Sequence, residues 1–165
     1  LFIHQGVLSI ERGREKLATF SKTLSNAKVI ILGASEDDFK HFISHYHLDK
    51  SVFFYVGSVP YNILNQFWKR GDAAIVMYLP TYINNRLCAP NRFYIAVNNK
   101  IPVLVNKDNP VLNNFVKEYN AGGFIEDIQN INDLARFLNH SYPASLMKEL
   151  IDVESNKFVY FYENI

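Results

Sequence analysis

Three cationic or amide side chains lie where a chain of this pattern holds anions. Arg12 follows a glycine-bearing loop after the first apolar run, and Asn91 and Arg92 stand directly after Pro90, where a helix is expected to begin. A helix start presents unpaired N–H groups and the positive end of its dipole, which suits a diphosphate. Arg12, from the opposite loop, adds a guanidinium able to grip phosphate oxygens in bidentate fashion. The bland alternatives are a solvated loop arginine and an ordinary helix cap.

Other polar groups point less clearly to chemistry. Asp72 precedes a strand-like run and reads as a turn residue. His41 and His45 have the i, i+4 spacing of zinc ligands, with His47 nearby, but no third ligand or acid completes the set, so no metal is expected. Glu36, Asp37 and Asp38 read as a negative cluster at a helix N-terminus. No G-x-G-x-x-G fingerprint and no Walker-A motif is present, which argues against dehydrogenases and P-loop enzymes.

The elements that must position these groups alternate regularly. Apolar runs at Leu1–His4, Lys28–Leu32, Ser51–Val56, Ala73–Tyr78, Pro102–Val105 and Phe124–Ile125 read as six strands. Helical patterns fall between them: Glu15–Leu24, one opened by Ser35 with Asp38 as a capping-box-like pair, and one with Pro60 in its first turn. Further helices begin near Pro90, at Asn109-Pro110, and at Asn130 with Asp133. Gly122-Gly123 is read as the stop of the Asn109 helix. Continuous apolar strands alternating with helices predict an α/β fold: a Rossmann-like, doubly wound, mainly parallel six-stranded sheet with helices on both faces. Ligands of such sheets sit beyond the strands' carboxyl ends. Functional residues are therefore expected in the loops Gly6–Arg12, Gly33–Ser35, Gly57–Pro60, Tyr78–Pro90 and Asn106–Asn109.

The chain's 165 residues suit one domain, read as 1–140, with 141–165 a C-terminal helical extension. Its aromatic cluster Phe158–Tyr162 is expected to pack toward a preceding domain absent from this chain. The sequence begins within an apolar run and without Met, so it reads as part of something longer. A net charge of +1, from 17 basic and 16 acidic residues, disfavours a nucleic-acid binder. The aromatic share of 15% implies either an aromatic core or an aromatic surface meant for a partner. The single cysteine, Cys88, excludes an internal disulfide and fits a reducing compartment. No apolar run reaches membrane-spanning length.

In order along the chain, these loops resemble the C-terminal domain of GT-B-type glycosyltransferases, in particular the retaining family that builds bacterial capsular, lipopolysaccharide and exopolysaccharide chains. FIHQG followed by Arg12-Gly13 resembles that family's first strand, glycine loop and basic-Gly pair. KVIILG (Lys28–Gly33) is similar to its second strand, and FYVGSVP (Phe54–Pro60) to its F-x-G-x-V-P stretch. GDAAIVMYLP (Gly71–Pro80) resembles A-D-x-x-I-x-P-Y. APNRFYIAVNNKIPVLV (Ala89–Val105), the longest match, looks like P-N-K-L-F-E-Y-M-A-A-G-x-P-V, and EYNAGGFI (Glu118–Ile125) like the next glycine turn.

The resemblance implies a nucleotide-sugar donor site made by Gly6, Arg12, Gly33, Val59, Pro90, Asn91 and Arg92. Arg12 would stabilise the departing diphosphate, and Gly33 and the Gly57–Pro60 loop would flank the base. It implies transfer from a nucleotide diphosphate sugar, with no cofactor or metal, to a glycan or lipid-linked acceptor held partly by an N-terminal domain. A cytoplasmic location follows, at the inner membrane face if the full-length protein associates peripherally. The departures are specific. Leu87 and Ile95 stand where the family has two glutamates, Lys100-Ile101 replaces the glycine before the strand proline, and Val7 replaces an arginine. These losses leave open a degenerate, non-catalytic nucleotide-binding or assembly module. A flavodoxin- or receiver-like signalling domain shares the sheet type but needs acids clustered at strand ends, which are missing here.

Overall fold

The computed structural model describes residues 1–87 and 90–163, with side chains to residue 157. Six strands form one sheet: β1 (Phe2–Gln5), β2 (Val29–Leu32), β3 (Phe53–Gly57), β4 (Ala73–Ile75), β5 (Val103–Val105) and β6 (Gly122–Phe124). Every pairing is parallel, and the order is β3-β2-β1-β4-β5-β6. The order reverses between β1 and β4, which opens a crevice beyond their carboxyl ends.

The helices are α1 (Arg14–Ser21), α2 (Glu36–His45), α3 (Tyr61–Trp68), α4 (Ile83–Leu87), α5 (Asn91–Asn98), α6 (Pro110–Tyr119), α7 (Ile131–Asn139) and α8 (Ala144–Glu163). Alternate residues of the strands feed two separate cores, as a period of two requires. On one face Phe2, Ile31 and Ile75 pack with Leu17 and Phe20 of α1, Phe39 and Phe42 of α2, and Leu134 and Phe137 of α7. On the other, Ile3, Leu32 and Val105 pack with Trp68 of α3, Phe93 and Val97 of α5, and Leu112 and Val116 of α6. The doubly wound architecture is thus the one expected from the alternation.

The aromatic content goes largely into these cores. Phe2 and Phe20 meet edge to face at 5.1 Å, and Phe39 stacks on Tyr55 at 4.8 Å. Such pairs add about 0.5–1.5 kcal/mol each beyond simple burial. In α8, Met147 and Leu150 are fully buried in the second core, against α5 and α6. The N-terminal half of this helix therefore belongs to the domain's own packing. Cys88, Ala89 and the side chains of Phe158–Tyr162 lie outside the described residues.

Three helix starts are capped as their sequences require. Ser35 accepts from the Asp38 N–H at 3.1 Å, Asn109 from Leu112 at 3.0 Å, and Asn130 from Asn132 at 2.9 Å. Removing the first cap with Ser35→Ala is expected to cost about 1 kcal/mol, read as a lower urea midpoint at unchanged slope. Pro60 and Pro90 sit one residue outside their helices, at the cap position.

Several boundaries differ from the sequence reading, most clearly around α6 and β6 and at the end of β4. The Asn109 helix is ended by Asn120, which adopts the left-handed conformation (φ 47°, ψ 43°). Gly122 and Gly123 are strand residues of β6. At Gly122 the β5 backbone approaches closely, and a side chain would lie 1.9 Å from the Val103 carbonyl oxygen; at Gly123 it would press on the Phe137 ring of α7 at 3.1 Å. β4 ends at Ile75, three residues earlier than the apolar run, because the chain leaves the sheet to build the crevice.

Candidate functional site

The crevice is built on the turn after β1. Gly6 adopts φ 122°, which favours glycine, and its N–H donates to the Leu32 carbonyl at 2.7 Å. A side chain here would come within 2.9 Å of Arg92 Nη1. The glycine thus lets a guanidinium lie against the backbone. Gly33 closes the turn after β2 beside it, at φ 80°, close enough that a Cβ would touch the Gly6 backbone at 3.5 Å.

Arg92 lies inside the domain. It is buried in the first turn of α5, and its Nη1 donates to the Gln5 carbonyl at the end of β1. The Gln5 side chain in turn accepts from Trp68 Nε1 at 2.9 Å. Arg12 reaches the same place from the β1–α1 loop. Its guanidinium lies 3.5 Å from the centroid of the Tyr78 ring, and that of Arg92 lies 5.3 Å from the same ring. Both distances fall within the range of favourable cation–π contact. The loop carrying Arg12 is tied to the chain carrying Tyr78, because the Leu79 N–H donates to the Glu11 carbonyl at 2.9 Å.

Two guanidinium charges therefore share one aromatic ring, separated by less than the Debye length of about 10 Å at 0.1 M salt. An anion set between or above them would relieve their mutual repulsion. The N-terminus of α5 adds the positive end of its helix dipole at the same edge. The arrangement can hold a doubly charged oxyanion and stabilise charge that grows on it.

The remaining expected residues are more dispersed. Asn91 is exposed at the first position of α5, and Pro90 is buried at its cap. Val59 follows β3, the edge strand, and packs half-buried on the second core. Asp72 precedes β4 and donates its N–H to the Leu1 carbonyl, so it sits at the sheet's amino end, away from the crevice. The rings of His41 and His45 lie 5.3 Å apart on α2. Among the described residues no group of three or more His, Cys, Asp or Glu side chains converges, and no helix is long and apolar enough to cross a membrane.

Leu87 is largely exposed on α4. Ile95 lines a groove between α3 and α5 with Tyr61, Leu64, Trp68 and Asn99. At neither position does the site gain a carboxylate. Several apolar side chains stand exposed on the segments that follow β1 and β4: Val7 and Ile10 before α1, Tyr82 just before α4, and Ile83 and Leu87 on α4.

Four contributors escape a reading by residue type. Tyr78 reads as strand but supplies the ring under both arginines. Asn106 and Asn109, both fully buried, hold the backbone of Tyr78. His4 is buried in β1, with a 1% exposed ring, paired in register with Ile31 and Ile75. Neither ring nitrogen has a partner of good hydrogen-bonding geometry. Burial first, and then the Arg92 charge, push its pKa down from 6.5 to about 3, and the Val7 backbone partly opposes this.

No protein-family model and no curated protein sequence matches the chain. Solved structures do. AviGT4, a glycosyltransferase involved in avilamycin A biosynthesis, superposes with a TM-score of 0.69 at 13% identity, over 98% of this chain and 50% of its own. HepE from Anabaena, in complex with UDP, gives 0.65 at 13% identity, over 99% and 49%. The UDP-GlcNAc 2-epimerase of Methanocaldococcus jannaschii, in complex with UDP-GlcNAc and UDP, gives 0.54 at 12%, over 94% and 45%. The chain spans about half the length of each of these structures. At such identities the likeness establishes the fold, which the epimerase also uses for a different reaction. The chain has the Rossmann-like α/β fold of a GT-B glycosyltransferase domain, the fold that its sequence motifs resemble.

Proposed function

We propose that the chain is the donor-binding domain of a retaining glycosyltransferase, which takes a sugar from a nucleoside diphosphate sugar. The observation that carries this reading is the pair Arg12 and Arg92 on one tyrosine ring, at the sheet's switch point and beside the start of α5. Arg12 stabilises the departing diphosphate, and Arg92 with the α5 N-terminus binds the other phosphate. Gly33 and the Val59 loop, on the β2–β3 side, flank the nucleoside. No metal is needed where two guanidiniums and a helix start neutralise the leaving group.

In this reading the acceptor, a glycan or lipid-linked sugar of cell-surface polysaccharide synthesis, is held by a second domain that closes over the exposed Val7, Ile10, Ile83 and Leu87. The full-length enzyme then works at the cytoplasmic face of a membrane. Titration calorimetry of the folded chain with UDP, GDP, ADP and TDP tests the donor site. Binding of one of them supports the reading. Failure of all four at millimolar concentration overturns it.

Leu87 and Ile95 favour a second reading, a nucleotide-binding module without transfer activity. Where the resembled family has glutamates, one of these residues is exposed and the other lines a groove that holds no carboxylate. Assay of the complete gene product with labelled sugar nucleotides separates the two. Diphosphate binding without transfer to any acceptor selects the second.

A further inference from the structure

We propose that Asn106 is a positioning residue of the diphosphate site: it holds Tyr78 so that the tyrosine ring carries the guanidinium of Arg12 in its binding place. This rests on the donor-site reading above and adds to it a residue bonded to the backbone of Tyr78.

The sheet explains why such a residue is required. The last backbone bond between β4 and β5 runs from the Val76 N–H to the Leu104 carbonyl at 2.9 Å. Two residues further, the backbones no longer pair, and the polar groups of Tyr78 are answered by side chains instead. The Asn106 side chain answers both. Its Oδ1 accepts from the Tyr78 N–H at 3.0 Å, and its Nδ2 donates to the Tyr78 carbonyl at 3.0 Å. A carboxamide carries the same donor and acceptor as a peptide unit, so Asn106 extends the β4–β5 ladder by one step beyond its backbone end.

The orientation of that amide is fixed by its surroundings. Nδ2 also donates to the Asp108 carboxylate, which lies 3.6 Å from Lys16 Nζ on α1. A flipped amide would set Oδ1 against both that carboxylate and the Tyr78 carbonyl. Asn109 adds a second tie: its Nδ2 donates to the carbonyls of Tyr78 at 3.3 Å and Asn85 at 2.9 Å, while its Oδ1 caps α6. Both asparagines are 0% exposed. Buried amides with satisfied partners hold one geometry, because each alternative leaves a polar group unpaired. What is held is the backbone from which the Tyr78 ring projects, and Arg12 lies 3.5 Å over that ring.

The test uses whichever of UDP, GDP, ADP and TDP the unmodified chain binds most tightly, together with the corresponding nucleoside. Asn106→Ala is expected to weaken the diphosphate by about tenfold and the nucleoside by less than about twofold. In an Arg12→Ala background the same change is expected to add almost nothing, because its route to the ligand has been removed. A lowered melting temperature with an unchanged ratio of diphosphate to nucleoside affinity overturns the proposal. So do losses that multiply independently in the double variant. Should Asn106→Ala fail to fold, Tyr78→Leu keeps the backbone clamp and removes only the ring. It must then lower the same ratio, and an unchanged ratio overturns the proposal. If the unmodified chain binds none of the four diphosphates, the donor-site reading itself fails, before any variant is made.

Discussion

Arg12→Ala is expected to weaken binding of a nucleoside diphosphate by roughly 10- to 100-fold while leaving the matching nucleoside almost unaffected. The magnitude follows from a hydrogen bond to a charged group, which contributes about 1.5–3 kcal/mol. It sits at the upper end of that range if the contact is bidentate. The location supports a full effect. Arg12 is half-buried and packed on Tyr78, so its side chain has already lost much of the freedom that binding would otherwise remove. Arg12→Lys keeps the charge but loses the planar fork and the stacking, and should recover only part of the affinity. Calorimetric titration of all three forms at low salt, with the nucleoside as control, reads the effect directly. Equal losses for diphosphate and nucleoside would mean that Arg12 supports the loop without contacting phosphate.

The sequence made Arg12 visible because an arginine after a glycine loop at a strand end has few structural duties. The sheet was visible for a similar reason. Runs such as KVIIL, apolar at every position, have no place except a strand covered on both faces, and Val29 to Leu32 are buried throughout. The caps at Ser35, Asn109 and Asn130 are local and were equally legible. Legibility ends where a residue's role is set by a distant segment. Gly122 and Gly123 look like a helix stop, and only their pairing with Val103 and Leu104 of β5 shows that they are strand. Arg92 looks like a surface residue in the first turn of a helix. Its burial depends on Gly6, 86 positions earlier, having no side chain to exclude it. Asn106 reads as one more polar loop residue, because its two bonds to Tyr78 span 28 positions of sequence. The missing glutamates were plain in the sequence. The structure adds that Leu87 is largely exposed and that Ile95 lines a groove between α3 and α5 with no carboxylate in it.

Acid is expected to destabilise the domain through His4, and His4→Gln to remove most of that sensitivity. The imidazole sits within β1 between Ile31 and Ile75, and protonating it there means burying a cation beside the Arg92 guanidinium. Its folded pKa is lowered to about 3, from 6.5 in an unfolded chain. Below 6.5 the unfolded state therefore takes up a proton that the folded state refuses, so the unfolded state gains as pH falls. The stability attributable to the neutral ring is fully present above pH 6.5 and lost progressively down to about pH 3. Its slope approaches 1.4 kcal/mol per pH unit, and the whole window amounts to several kcal/mol, a large share of the 5–15 kcal/mol typical of a domain. Urea midpoints measured near pH 7.5 and near pH 4.5 should fall sharply for the unmodified chain and much less for His4→Gln, whose amide does not titrate. The variant starts lower, since glutamine packs imperfectly in an imidazole's place, so the informative quantity is the difference between the two pH values within each protein. An equal fall in both would assign the acid sensitivity to other groups. A fall that shrinks when a diphosphate is bound would tie His4 to the site, because an anion over Arg92 relieves part of the repulsion that keeps the ring neutral.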